Sequence, residues 1–330
     1  MRALVTGVAG FVGSHLADAL LERGDAVIGV DCFTPYYARA AKDASLADAR
    51  ADAHFELVEA DLRNCDIAPL LDGVDVVFHQ AAQAGVRLSW SDGFADYVGH
   101  NVLATQRLLE AVHVTNASPR IVYASSSSVY GNATPAPFAE DQPAVLPISP
   151  YAASKRAGEL LAHTFAHLYP LKIICLRFFT VYGPRQRPDL AIHKFTDLIA
   201  RGRPVRMHGD GSSERDYTYI TDCLDGILAA LDWTARAKPG TVETVNLGGG
   251  ARVRLDRLIA LIADALGKTP QIERHPDQPG DVRLTDADLV HAGRVLGFKP
   301  RVGIQEGIRK FVDWYEEVHG RQSRASRRAG

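Results

Sequence analysis

Strands and helices alternate along this chain in the manner of an α/β protein, and the expected fold is a doubly wound parallel sheet with a smaller α/β C-terminal lobe for substrate. Three observations predict it. A β-rich run from Arg2 to Thr6 passes through Gly7-Val8-Ala9-Gly10-Phe11-Val12-Gly13 into a helical pattern that reaches Arg23, the strand–turn–helix context of a dinucleotide site. Short apolar runs then recur at Ala26 to Val30, Phe55 to Glu59, Val74 to His79, Arg120 to Ala124 and Ile173 to Arg177, with helical stretches between them, as βαβ units require. Finally, 330 residues with 46% hydrophobic content can bury a large core divided between two lobes. Residues 1–177, with about 216–240, are assigned to the Rossmann-type dinucleotide domain. Residues 178–215 and 241–320 are assigned to the substrate lobe, and 321–330 to a disordered basic tail.

Composition narrows the function classes. The 37 basic and 39 acidic residues nearly cancel, so no broad basic surface points to nucleic acid or an anionic membrane, and a small molecule is the expected partner. Cys32, Cys65, Cys175 and Cys223 lack CxxC spacing, which argues against a disulfide framework and a zinc site and leaves no metal expected. No apolar run reaches membrane-spanning length and the first residues enter a strand directly, so the cytoplasm is the expected location.

In the glycine turn, Gly7 permits the bend, Gly10 lets backbone approach a pyrophosphate and Gly13 lets the helix pack on its strand, with Phe11 and Val12 opening that helix. The phosphates sit at the helix N-terminus, where free N–H groups favour anions. The second strand ends at Asp31, eighteen residues after Gly13, where a carboxylate accepts from a ribose diol and repels a 2′-phosphate; NAD is therefore favoured over NADP. Phe33 to Asp52 reads as a loop with a loosely attached helix, and the third strand runs into Asp61 and Leu62. After the apolar run ending at His79, Gln80, Ala81 and Ala82 let a cofactor lie against backbone, with Arg87 further on as a substrate contact. A helix from Phe94 to Val114 carries Asn101.

Tyr151-Ala152-Ala153-Ser154-Lys155 opens a helix that runs through Leu168. Four residues is just over one turn, so phenol and ammonium share a face. A fixed cation nearby lowers a phenol's pKa toward working pH, as a general base acting on an alcohol needs. Ser126, in the run Ser125-Ser126-Ser127-Ser128-Val129-Tyr130-Gly131, can supply a hydroxyl beside that tyrosine. Beyond the sixth strand, Phe178 to Ala191 forms a loop expected to cover substrate; Arg185 and Arg187 give it two permanent cations.

Together, TGxxGxxG, the serine at a strand end, YxxxK and Arg177-Phe-Phe-Thr-Val-Tyr-Gly-Pro resemble the extended short-chain dehydrogenase/reductases, the family of nucleotide-sugar epimerases and dehydratases. The resemblance covers Arg2 to about Glu317, and SSSSVYG with FFTVYGPRQRPD is similar to its UDP-glucuronate 4-epimerases. It implies adenine contacts at Asp61 and Leu62, a phosphate contact at Arg215, a phosphate or ribose contact at Gln278, and a homodimer through two helices per subunit. Ser127 and Ser128 stand where dehydratases carry Asp-Glu and decarboxylases a glutamate; a serine hydroxyl cannot replace those acids and bases. The implied activity is 4-epimerisation of a UDP-uronate through a 4-keto sugar, with Tyr151, Lys155 and Ser126 catalytic and NAD reused each cycle. Because a 4-keto uronate loses carbon dioxide readily, the carboxylate needs holding. That role is assigned to Arg185 with Thr180 and Ser127, and Ser128 is counted among the substrate contacts. A UDP-glucose 4-epimerase, a decarboxylase-like enzyme, an NAD-sensing regulator and a partner-binding subunit remain as alternatives.

Overall fold

The computed structural model describes residues 1–115, 120–132, 134–276 and 283–328. Seven strands form one parallel sheet: β1 (Arg2–Thr6), β2 (Ala26–Asp31), β3 (Phe55–Glu59), β4 (Val76–His79), β5 (Arg120–Ser126), β6 (Lys172–Phe178) and, later in the chain, β10 (Thr241–Leu247). Their spatial order is β10-β6-β5-β4-β1-β2-β3. The order reverses at β1 and β4, the place where open α/β sheets leave a crevice at their carboxyl ends.

Helices cover both faces. The chain provides α1 (Phe11–Glu22), the short α2 (Arg39–Ser45) and α3 (Ala47–Ala51), then α4 (Phe94–Tyr97), α5 (Ala104–Val114) and α6 (Pro150–Leu168). It continues with α7 (Ala191–Ala200), α8 (Ile220–Arg236), α9 (Leu255–Leu266), α10 (Val290–Leu296) and α11 (Ile304–Arg328). Side chains alternate across a strand, so neighbours in sequence belong to different cores. Val5, Phe78, Val122 and Ile174 pack with Leu16 of α1 and Ile227 of α8. Leu4, Val77, Ile121 and Ile173 pack with Leu108 of α5 and Phe165 of α6. Each such side chain, fully buried, contributes about 1.5–3 kcal/mol of transfer free energy.

The second lobe is built on two small sheets. β7 (Thr180–Tyr182), β9 (Glu214–Tyr219) and β11 (Arg252–Arg254) form one, and β8 (Val205–His208) pairs with β12 (Ile272–His275) in the other. Three features differ from the sequence expectations. β10, assigned to the substrate lobe, is the edge strand of the main sheet, pairing with β6 from Thr241↔Lys172 to Leu247↔Phe178. The helix expected over Phe94 to Val114 is widened to a π-helix at Val98–Leu103. The tail expected to be disordered continues α11 to Arg328, because Arg, Gln, Ser and Ala follow Gly320 without a helix breaker.

Candidate active site

The carboxyl ends of β1, β2, β4, β5 and β6 open into one cavity of about 430 Å³. Its floor is the glycine turn. Gly7 has φ +70°, and a Cβ there would lie 2.7 Å from the Ala81 backbone; at Gly13 a Cβ would strike the Gly7 carbonyl oxygen. Only glycine lets β1 turn this tightly and lets α1 begin at the cavity wall. Gly10, Phe11, Val12, Leu62, Gln80, Ala81 and Ala82 line the cavity with Gly7 and Gly13, as do Asp31, Asp61, Tyr151 and Lys155. Every residue expected to hold the dinucleotide therefore faces one space, and this donor set fits an NAD-sized ligand.

Asp31 ends β2 and accepts from the backbone N–H groups of Ala9 (3.1 Å) and Phe33 (2.7 Å). Burial raises its pKa against those bonds. Asp61 is forked by Arg63 at 2.7 to 3.1 Å, which holds its carboxyl below the usual range. Ligand atoms of Asp61, Cys32 and His100 lie within 4.8 Å of one another in the same wall.

The catalytic candidates converge by secondary structure. Ser149 caps α6, its hydroxyl accepting from Ala152 N–H at 3.1 Å, and Pro150 occupies the first turn. The helix thereby starts where Tyr151 faces the cavity. Tyr151 lies within hydrogen-bonding reach of Ser126, whose hydroxyl here donates to Ser128 Oγ at 3.1 Å and accepts from Ser128 N–H at 3.2 Å. Burial raises the Tyr151 pKa; the Ser126 hydrogen bond and the Arg187 charge oppose it. Lys155, expected to be the tuning cation, points its ammonium at the Ala124 carbonyl (2.7 Å), and burial lowers its pKa to about 8. In this state the guanidinium of Arg187 is the cation acting on the phenol.

The π-helical segment carries Asn101 inward. Its Oδ1 accepts from Gln83 N–H at 2.7 Å while its Nδ2 donates to the Gln83 carbonyl (3.0 Å) and to Ser154 Oγ (2.8 Å). One amide thus ties the loop after β4 to α6. On the inner face of α6, buried Glu159 accepts from Ser125 Oγ (2.6 Å) and takes both arms of the Arg177 fork (2.9 Å each), fixing the helix over the ends of β5 and β6.

Among the expected substrate contacts, Thr180 and Ser128 line the cavity. Arg87, Ser127, Arg185 and Arg215 are absent from the described residues that line it. Ser127 is buried beside the turn, and Arg215 donates to its own neighbour's carbonyl, Glu214 O, at 2.9 Å. Gln278 lies outside the described residues. Arg185 lies away from that lining. Its backbone takes φ +62°, which turns the side chain away to bond Asp18 at 2.5 Å and Asp48 at 3.4 Å. Arg187 occupies the cavity wall instead, bidentate to Asp189 (2.9 and 2.8 Å) with its guanidinium carbon 5.4 Å from the Tyr36 ring centroid.

Sequence reasoning also missed Tyr36, Tyr37 and Lys42, all in the cavity wall. The segment read as loosely attached is folded over the site. Tyr36 donates to Asp189 (3.3 Å), Tyr37 to the Ala9 carbonyl (3.3 Å), and Lys42 to the Thr34 carbonyl (2.8 Å). Two adjacent tyrosines just past a strand-end aspartate were the available signal.

The family model that matches this architecture, over residues 3–248, describes the NAD dependent epimerase/dehydratase family. The chain belongs to the NAD dependent epimerase/dehydratase family. A relative from Rhizobium meliloti named as a probable UDP-glucuronate 4-epimerase is 39% identical over 342 residues, covering 97% of this chain and 98% of the relative. The UDP-glucuronate 4-epimerase of Thermodesulfobacterium geofontis is 37% identical over 318 residues, covering 95% and 96%. Among solved structures, the UDP-glucuronic acid 4-epimerase of Bacillus cereus in complex with UDP-glucuronic acid and NAD is similar at a TM-score of 0.90 and 35% identity, covering 96% of this chain and all of that one. This epimerase/dehydratase family member lacks the acid pair beside Ser126 that elimination needs, having Ser127 and Ser128 there. It keeps the hydroxyl–phenol–ammonium set of Ser126, Tyr151 and Lys155.

Proposed function

We propose that the protein is an NAD-dependent 4-epimerase of a UDP-sugar, interconverting UDP-glucuronate and UDP-galacturonate. The observation that carries this reading is that Tyr151, Ser126 and Arg187 face one cavity whose floor is the glycine turn. NAD supplies reversible hydride acceptance at C4 of the sugar. Gly7 to Gly13 and the N-terminus of α1 would hold its pyrophosphate, Asp31 and Lys42 its adenosine ribose, Asp61 and Leu62 its adenine, and Lys155 its nicotinamide ribose. Tyr151 takes the C4 hydroxyl proton and later returns it, with Ser126 sharing the hydrogen bond. Once the 4-keto sugar had turned between Tyr151 and Thr180, which both line the cavity, its opposite face would receive the hydride back from bound NAD. Thr180 and Ser128 contact the sugar, and Arg215 on β9 is assigned to the diphosphate.

Arg187, not Arg185, is the cation for the uronate carboxylate. Its Nε–Nη2 edge is taken by Asp189, so the sugar's carboxylate would meet the Nη1 side. Asp189 fixes the plane of the fork in advance, and a guanidinium offers bidentate geometry that a neutral hexose has no use for. Holding that carboxylate out of alignment with the C4 carbonyl suppresses loss of carbon dioxide. Two further assignments belong to the reading. A homodimer through the 94–114 helix and α6 is supported by the exposed Val98, Leu103, Leu160 and Leu168, and a reducing, cytoplasmic location by four free cysteines.

Incubation of the protein with UDP-glucuronate in deuterium oxide, with products resolved by NMR, tests the reaction. UDP-galacturonate with hydrogen retained at C4 is expected; a pentose product, deuterium at C4 or no turnover would sink it. In the same assay Arg187→Ala should cost at least about tenfold in kcat/KM and raise the share of decarboxylated product.

A further inference from the structure

The segment from Gly183 to Leu190 is fastened carbonyl by carbonyl to elements on two sides. Pro184 O accepts from His15 Nε2 at 2.9 Å, and Gln186 O from His193 Nδ1 at 2.6 Å. Between them stand the charged attachments of Arg185, Nη1 to Asp18 Oδ2 at 2.5 Å and Nη2 to Asp48 Oδ2 at 3.4 Å. His15 and Asp18 are three residues apart and project from one face of α1, the helix whose first turn lines the cavity through Phe11, Val12 and Gly13. Phe11, one turn before His15, meets its ring edge-on at 5.8 Å. The cofactor helix and the substrate loop therefore share a contiguous contact.

We propose that Arg185 is a positioning residue for uronate recognition: its ion pair with Asp18 locks the loop to α1 and so aims Arg187, two residues on, into the cavity. This rests on the reading of Arg187 as the carboxylate's partner. The backbone argues for it. Arg185 holds φ +62°, a conformation a non-glycine residue adopts at a cost unless its surroundings impose it. That reversal sends the two arginines to opposite sides, Arg185 to Asp18 and Asp48, Arg187 to Asp189 and Tyr36. Asp18 argues for it too. Its Oδ1 is buried without a hydrogen-bond partner, and burial raises its pKa while Arg185 opposes the rise, so the guanidinium offsets part of the cost of burying this carboxylate in the loop–helix contact. His15 is kept neutral by burial, its pKa lowered to about 4, and its Nε2–H donates at any working pH. The Asp18–Arg185 pair is thus a charged element of the attachment that a single substitution can remove without touching the cavity wall.

The test is calorimetric titration of the NAD-loaded protein with UDP-glucuronate and, separately, with UDP, which has no carboxylate. Arg185→Ala and Asp18→Asn should each weaken UDP-glucuronate by about tenfold, the scale of a small misplacement of a binding group, and leave UDP within about twofold. Arg185→Lys should retain most of the affinity. The exchanged pair Asp18→Arg with Arg185→Asp should recover it, since aspartate tolerates a positive φ and Arg at 18 can meet both Asp at 185 and Asp48. In turnover, KM for the uronate should rise with kcat little changed. Equal losses for UDP and UDP-glucuronate, no loss for either, or no recovery in the exchanged pair would overturn the proposal. Arg187→Ala separates the two claims: if it leaves uronate affinity intact, the carboxylate reading fails, whereas a loss there with none in Arg185→Ala removes only the positioning role.

Discussion

A buried phenol keeps its proton. For Tyr151 burial raises the pKa, and only the Ser126 hydrogen bond and the Arg187 charge oppose it in this state. Tyr151→Phe removes the proton carrier and nothing else of similar size, so turnover should fall by at least about a thousandfold with UDP-glucuronate affinity within about threefold in titration. The sign of the second effect follows from charge. Taking away Arg187 disfavours the phenolate, so in Arg187→Ala the alkaline rise of kcat/KM should move to higher pH; a shift to lower pH would refute the coupling. The Tyr151/Lys155 pair is legible in the sequence because a spacing of four residues fixes a shared helix face whatever surrounds it. Which arginine lines the cavity is not, because it goes with a backbone reversal at Arg185, φ +62°, and with that residue's pairing to Asp18, 167 residues away.

At the scale of elements, Asp216 on β9 joins three segments distant in sequence. Its carboxylate accepts from Gly249 N–H (2.5 Å) and Ala287 N–H (3.2 Å), and its own N–H donates to Thr285 Oγ1 (3.1 Å). It is fully buried, and burial pushes its pKa up to about 6, from 3.8, against those bonds. A carboxyl whose folded pKa lies above its unfolded one binds more protons in the folded state between those values. Its contribution is present below about pH 4 and is lost as pH rises through about 6, an amount of about 3 kcal/mol. Urea unfolding from pH 4 to 7 should therefore show a downward slope that Asp216→Asn removes; parallel profiles for the two proteins would contradict it. Sequence puts a lobe boundary between Arg215 and Asp216 and shows nothing of this latch, since its partners lie 33 and 71 residues away. β10 was misassigned for the same reason: its alternation marks a strand, while pairing with β6 is a long-range choice.

For the molecule as a whole, the exposed apolar residues decide what it meets. Leu160 is 52% exposed on α6, and Val98 (39%) and Leu103 (45%) stand on the neighbouring helix, a patch that association would cover. Sedimentation velocity should find a dimer, and Leu160→Arg should shift it toward monomer; a monomeric wild type would end the assignment.

The sequence by itself determined the fold class, the glycine turn that floors the cavity and the shared helix face of Tyr151 and Lys155, because each is written in a local pattern: strand–glycine turn–helix, a strand-end Asp31, and one helical turn between two side chains. Only the tertiary structure decided which loop cation reaches the cavity, that Tyr36, Tyr37 and Lys42 fold over it, and that Asn101, Ser125 and Arg177 brace α6 through Ser154 and Glu159. Those outcomes depend on chain reversal and on contacts between residues far apart in sequence, which no local spacing encodes.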